Sequence, residues 1–147
     1  GIRKTANEAV TNSATLQNDD DLVTGSLPIN TNYLFILAIE YNGTTAAPDI
    51  KLDLVLPAGA TFAITGQGES TASAFQAPRM VDSDAAPRLQ AWGTAAAAAT
   101  RNLQFIGLIL IGAAAGTCQL QWAQNTATVA EDTTIYTNSV LTLIRVV

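Results

Sequence analysis

The feature that most restricts what this chain can fold into is alternation with a period of two. In DIKLDLVLP, Ile50, Leu52, Leu54 and Leu56 fall on one side, and Asp49, Lys51 and Asp53 on the other. Successive side chains of an extended strand point to opposite faces, so this pattern is a half-buried strand, closed by Pro57. TCQLQWAQ repeats it, with Cys118, Leu120 and Trp122 opposite Thr117, Gln119 and Gln121. SVLTLIRVV gives a last strand, with Leu141 and Leu143 on one face and Thr142 on the other.

Two segments are apolar on both faces. In NYLFILAIEY, Tyr33, Phe35, Leu37 and Ile39 oppose Leu34, Ile36 and Ala38. In NLQFIGLILIG, Phe105, Ile109 and Ile111 oppose Ile106, Leu108 and Leu110. A strand with two apolar faces buries both. In a sandwich one face meets the core, and a neighbouring subunit is the simplest cover for the other. Tyr33, Leu34, Phe35, Ile36, Ile106, Leu108 and Leu110 are therefore the candidate oligomer interface. Composition agrees: only 13% of residues are charged and 48% are hydrophobic, which is dry for a small monomer.

Turn signals separate the runs: the acidic NDDD, Ser26-Leu27-Pro28, Tyr41-Asn42-Gly43, Pro57-Ala58-Gly59, Gly66-Gln67-Gly68, Gly112 to Gly116, and Asn125. About eight strands at this spacing predict an all-β fold, an antiparallel β-sandwich of jelly-roll type, in one domain spanning residues 1–147. The stretch from about Thr65 to Thr100 is weakly periodic. Short strands are expected near Met80 and from Leu89 to Trp92, with long loops around them. Ala95 to Ala99 reads as a loop with one helical turn, because five alanines are too few to nucleate a helix alone.

The chemistry is sparse. There is no histidine, which removes Ser-His-Asp, Cys-His and His-metal arrangements. Cys118, the single cysteine, falls on a strand face with Leu120 and Trp122 and reads as a buried thiol without an activating base. Carboxylates are scattered, and aromatic content is 6%, so nothing suggests a saccharide-cleaving groove. No catalytic residue and no cofactor is expected. Net charge is −5 with seven scattered basic residues, a poor footprint for nucleic acid. The longest apolar run, FIGLILIGAAAG, is too short to span a bilayer.

LQNDDDL, with Asp19, Asp20 and Asp21 in succession, is the one candidate for a metal. A calcium loop spaces its acids so that their oxygens converge, and it uses a glycine. Consecutive residues of an extended chain diverge instead, and NDDD has no glycine. The expectation is a tight acidic turn with Leu16 and Leu22 packing inward. A calcium shared at a subunit boundary is the alternative.

The order of several short motifs resembles a known group. These are Lys4-Thr5-Ala6, the L-x-x-D-D-x-L of Leu16 to Leu22, the aromatic–apolar strand Tyr33 to Tyr41, and Asp49 to Ala60 ending Pro-Ala-Gly-Ala. Ala115 to Gln124, with its Leu-x-Trp-Ala-Gln ending, and Asn-Ser-x-Leu at Asn138 to Leu141 follow. Together they are similar to β-sandwich domains in structural proteins of tailed bacteriophages, found in fibres, spikes and capsid decorations. The similarity spans the chain except roughly Gly66 to Thr100. It implies a homotrimeric, non-enzymatic component of the virion exterior whose partners are other capsid or fibre proteins, and it transfers no catalytic residue. Asn138-Ser139 departs from the pattern, where Gly-Ser is common.

Two other functions share this fold. A receptor-binding fibre tip would recognise a host-surface glycan or protein through the long middle, with Phe75, Arg79, Arg88 and Trp92 as the possible ligand surface. For Trp92 a core or interface position is the competing expectation. A secreted trimer of tumour-necrosis-factor or complement type would look alike at this level.

Overall fold

In the computed structural model, which describes residues 1–95 and 99–146, the alternation becomes thirteen strands and no helix. They are β1 (Ile2–Arg3), β2 (Glu8–Thr11), β3 (Gln17–Val23), β4 (Asn32–Gly43), β5 (Ile50–Val55), β6 (Thr61–Glu69), β7 (Phe75–Gln76), β8 (Arg79–Val81), β9 (Ala91–Trp92), β10 (Arg101–Leu110), β11 (Gln119–Gln124), β12 (Asp132–Ile135) and β13 (Val140–Val146). They form two antiparallel sheets packed face to face, a β-sandwich. The small sheet runs β3-β11-β5-β9, and the large one runs β1-β13-β4-β10-β6-β7, with β2, β8 and β12 attached beside it.

The pairings are nested along the chain. β1 pairs β13, β2 pairs β12, β3 pairs β11, β4 pairs β10 and β5 pairs β9, all antiparallel. Such a pattern is one long hairpin, rolled so that its strand pairs are divided between two sheets. At its tip, β6 returns to the large sheet and pairs with β10, carrying β7 and β8 on its other side. The short strands expected near Met80 and before Trp92 are β8 and β9. The Ala95 to Ala99 reading falls mostly on residues 96–98, outside the described residues.

Each doubly apolar strand divides as its period requires. On β4, Tyr33, Phe35, Leu37, Ile39 and Tyr41 point into the sandwich. On β10, Leu103, Phe105 and Ile109 do the same. From the small sheet come Leu52, Leu54, Leu120 and Trp122, all fully buried. Tyr33 and Phe35 thus belong to the core, and this corrects their assignment to a subunit interface: odd-numbered positions of β4 face the small sheet.

Two sequence turns prove to be strand. Tyr41-Asn42-Gly43 continues β4 to its end. Gly66 and Gly68 lie within β6, at alternate positions facing inward. A Cβ on Gly66 would sit 2.8 Å from the Phe105 ring and 2.9 Å from the Trp92 indole, and one on Gly68 would collide with Leu103. These glycines leave the volume that Trp92 fills. The indole is fully buried, meets Phe105 edge-to-face with centroids 5.5 Å apart, and donates from Nε1 to the Leu89 carbonyl at 2.7 Å. Beside it, the Tyr41 hydroxyl donates to the Gly93 carbonyl at 2.5 Å. Glycine weakens a strand by propensity, so here packing decides the residue.

Gly66→Val will therefore lower stability by about 1–3 kcal/mol or more through overpacking, although valine favours strands. Gln67→Val, one position along and facing out, will change it little. Urea denaturation of both variants distinguishes them; equal stability would contradict the packing account.

Candidate functional site

The acidic stretch lies inside β3, and the expected tight turn is corrected to an irregular strand. Gln119 pairs Val23 and Gln121 pairs Asn18, so β3 spends three more residues than β11 over this interval. Asp19 to Leu22 form this irregularity, four residues against the single Leu120, with Asp19 and Leu22 turned inward. The turn chemistry is nevertheless local: Asp19 Oδ1 accepts the backbone N–H groups of Asp21 at 3.0 Å and Leu22 at 2.8 Å. Leu22 is fully buried as expected, while Leu16 is only half-buried.

The partner of this bulge is Lys4. Its side chain is 1% exposed, and its ammonium donates to Asp19 Oδ2 at 2.8 Å and Glu8 Oε2 at 2.6 Å. Asp21 Oδ2 lies 3.8 Å away. Burial alone would lower the Lys4 pKa, but the hydrogen bonds to Asp19 and Glu8, with their charges, more than offset it and hold the pKa above its ordinary value. Asp21 grips the same arm, accepting the Thr5 hydroxyl at 2.7 Å and the Thr5 and Ala6 N–H groups at 2.9 and 3.4 Å. The Thr5 hydroxyl and backbone bonds depress its pKa. Lys4 N–H also donates to the Ser139 carbonyl at 3.0 Å. Lys4-Thr5-Ala6, the acidic stretch and Asn138-Ser139 are therefore one interlocked cluster. The carboxylates meet on an ammonium. Asp20 is exposed, and among the described residues no three His, Cys, Asp or Glu side chains are arranged to hold a metal ion.

The four candidate ligand-surface residues do not form one surface. Phe75 is 75% exposed and Arg79 is also exposed. They pair with Glu69 and Thr65, well apart along β6. Arg88 is engaged inward, with Nε 2.7 Å from Asp53 Oδ1, a bond to the Leu54 carbonyl and its guanidinium over the Phe62 ring. Asp53, expected on a solvent face, is consequently buried. Trp92 is core, so its ring has no face open to a sugar. Other carboxylates serve the backbone or a cation: Asp82 accepts Phe62 N–H, Asp84 accepts Val81 N–H, and Glu69 pairs with Arg101. The Cys118 thiol is buried, and burial pushes its pKa up to about 12.

One surface stands apart. On the outer face of the large sheet, Ile144, Leu34, Leu108 and Ala63 lie in one row across β13, β4, β10 and β6. Thr142, Ile36, Ile106 and Thr65 form the next. Ile106, Leu108, Leu110 and Ile144 are 43–52% exposed, while Leu34 and Ile36 are half-buried between their neighbours. Neither row contains a charge from β13 to β6; Arg79 on β8, opposite Thr65, borders the second. Scattered apolar residues are normal on a surface, but contiguous rows mark an interaction site.

Comparison of the chain with family models, curated proteins and solved structures finds no match.

Lys4→Met will strand the buried Asp19 carboxylate and cost about 3–5 kcal/mol; thermal or urea unfolding will register it, and a neutral result would refute the clamp. In acid, the Asp21 contribution is complete above its ordinary pKa of 3.8 and is lost as pH falls through the lower folded value. Amide exchange at Thr5 and Ala6 will then accelerate, relative to the β4–β10 core, as pH drops below that value. Native Cys118 will resist thiol reagents at pH 8 and react on unfolding.

Proposed function

We propose that this chain is a non-enzymatic structural subunit of a virion exterior, a jelly-roll domain that assembles as a homotrimer in a phage capsid decoration, fibre or spike. The five nested strand pairings support the jelly-roll reading, since a rolled hairpin divided between two sheets is that architecture. The phage reading rests on the ordered motifs from Lys4 to Leu141. Its physical support is that the Lys4-Thr5-Ala6, L-x-x-D-D-x-L and Asn-Ser-x-Leu pieces contact one another, which gives a structural reason for them to occur together.

The single observation that carries assembly is the pair of adjacent apolar rows on the outer face of the large sheet, which are uncharged from β13 to β6. Its chemistry suits a surface as apolar as itself, and another copy of the chain supplies one. Such a contact would bury Leu34, Ile36, Ile106, Leu108 and Leu110 at its centre, where apolar area contributes roughly 25 cal/mol per Å². A structural role also agrees with the state of the thiol and of the Arg88 guanidinium. Cys118 is buried without a base, and Arg88 is engaged by Asp53.

Light scattering after size exclusion at micromolar concentration will give three times the 15.3 kDa chain mass, unchanged by EDTA. Leu108→Asp will give folded monomer. A wild-type monomer would overturn the assembly, and dissociation in EDTA would place a metal at the subunit boundary.

A further inference from the structure

The Lys4 cluster has the parts of a self-condensing site. We infer that Lys4 and Asp19 join covalently, through an isopeptide bond between Lys4 Nζ and Asp19 Cγ, with Glu8 as the proton carrier. Lys4 Nζ stands 2.8 Å from Asp19 Oδ2, so the carboxyl carbon is one bond further. Both side chains are almost completely withdrawn from water, at 1% and 0% exposure. Held so, amine and acid react as one molecule, which replaces the entropy cost of an encounter.

The surroundings supply the rest. Asp19 Oδ1 accepts two backbone N–H groups, from Asp21 and Leu22. Two donors on one carboxyl oxygen polarise the carbon and stabilise negative charge on that oxygen after attack, as an oxyanion hole does. Glu8 Oε2 lies 2.6 Å from Nζ, within reach to take a proton. Asp21, bound to Thr5 and Ala6, holds the arm carrying Lys4 in place.

The step balances without an oxidant or co-reactant. The ammonium passes one proton to Asp19 Oδ2, an uphill transfer because the cluster favours the charged lysine, giving a minor population of neutral amine and neutral acid from which the step proceeds slowly. The nitrogen lone pair attacks Cγ, forming the C–N bond and placing negative charge on Oδ1. Glu8 removes a proton from the nitrogen and delivers it to the Oδ2 hydroxyl. The Cγ–Oδ2 bond breaks, water leaves, and Oδ1 returns to a carbonyl. Two opposite charges in a dry site become one neutral amide, which removes the desolvation penalty of the ion pair. The product ties the N-terminal arm to β3 and closes a loop from residue 4 to residue 19. The inference stands independently of trimer formation.

Intact-mass spectrometry of the purified, folded full chain decides it. The expected mass is 18 Da below that of the sequence, with proteolysis yielding one branched peptide joining Lys4 to Asp19. Asp19→Asn, condensing by the same route, will lose 17 Da as ammonia. Lys4→Arg will keep its full mass, and Glu8→Gln will keep its full mass while retaining the near-ultraviolet signal of the buried tryptophans. A folded wild-type chain at full sequence mass after days at neutral pH would overturn the bond. Loss of 18 Da from Glu8→Gln would overturn the role of Glu8.

Discussion

The pairing of β4 with β10 is the constraint on which the rest depends. Ten residue pairs in unbroken register, from Arg101 opposite Tyr41 to Leu110 opposite Asn32, fix which side chains face in. A slip of one residue would exchange every inner position of the slipped strand for an outer one. With β4 held in place, a slip of β10 would take Phe105 and Ile109 out of the core and bring Ile106 and Leu108 into it. Because both faces are apolar, the pattern of polarity alone does not choose between these registers. Shape does: the inner ring of Phe105 and the Trp92 indole that packs on it need the space that Gly66 and Gly68 leave on β6.

Around this pair the nested hairpin is stitched by polar groups at its open end. Lys4 holds the first arm to β3, and Ser139 accepts Lys4 N–H through its carbonyl while its hydroxyl meets the Glu40 backbone. Gln124, fully buried, performs the same task nearby. Its side chain accepts the N–H groups of Ser13 and Thr128 and donates to the Glu131 carbonyl. Buried polar groups of this kind are tolerable only when satisfied, and these are. They secure the segments that the core itself grips least.

The strands were legible wherever burial follows a period of two. β4, β5, β10, β11 and β13 lie where the sequence places strands, and on β5, β11 and β13 the apolar side of the alternation turns inward. The sequence misled where the deciding contact is distant. Asp19 to Asp21 looks like a turn because its cation lies fifteen residues earlier, on an arm with no periodicity of its own. Gly66 and Gly68 look like punctuation because the indole they accommodate is more than twenty residues away. Asp53 looks solvated because Arg88, which covers it, comes from the segment with the weakest pattern. The candidate interface was half legible: the two-faced strands were evident, but which face joins the core required the small sheet to be placed.

The central claim is that the outer face of the large sheet is covered by other copies of the chain. Carbene footprinting read residue by residue tests this most directly. At micromolar concentration the account predicts that Ile106, Leu108 and Ile144 are protected, while Phe75, on a different part of the surface, is labelled heavily. Labelling of those three as heavy as that of Phe75, unchanged on further concentration, would contradict it.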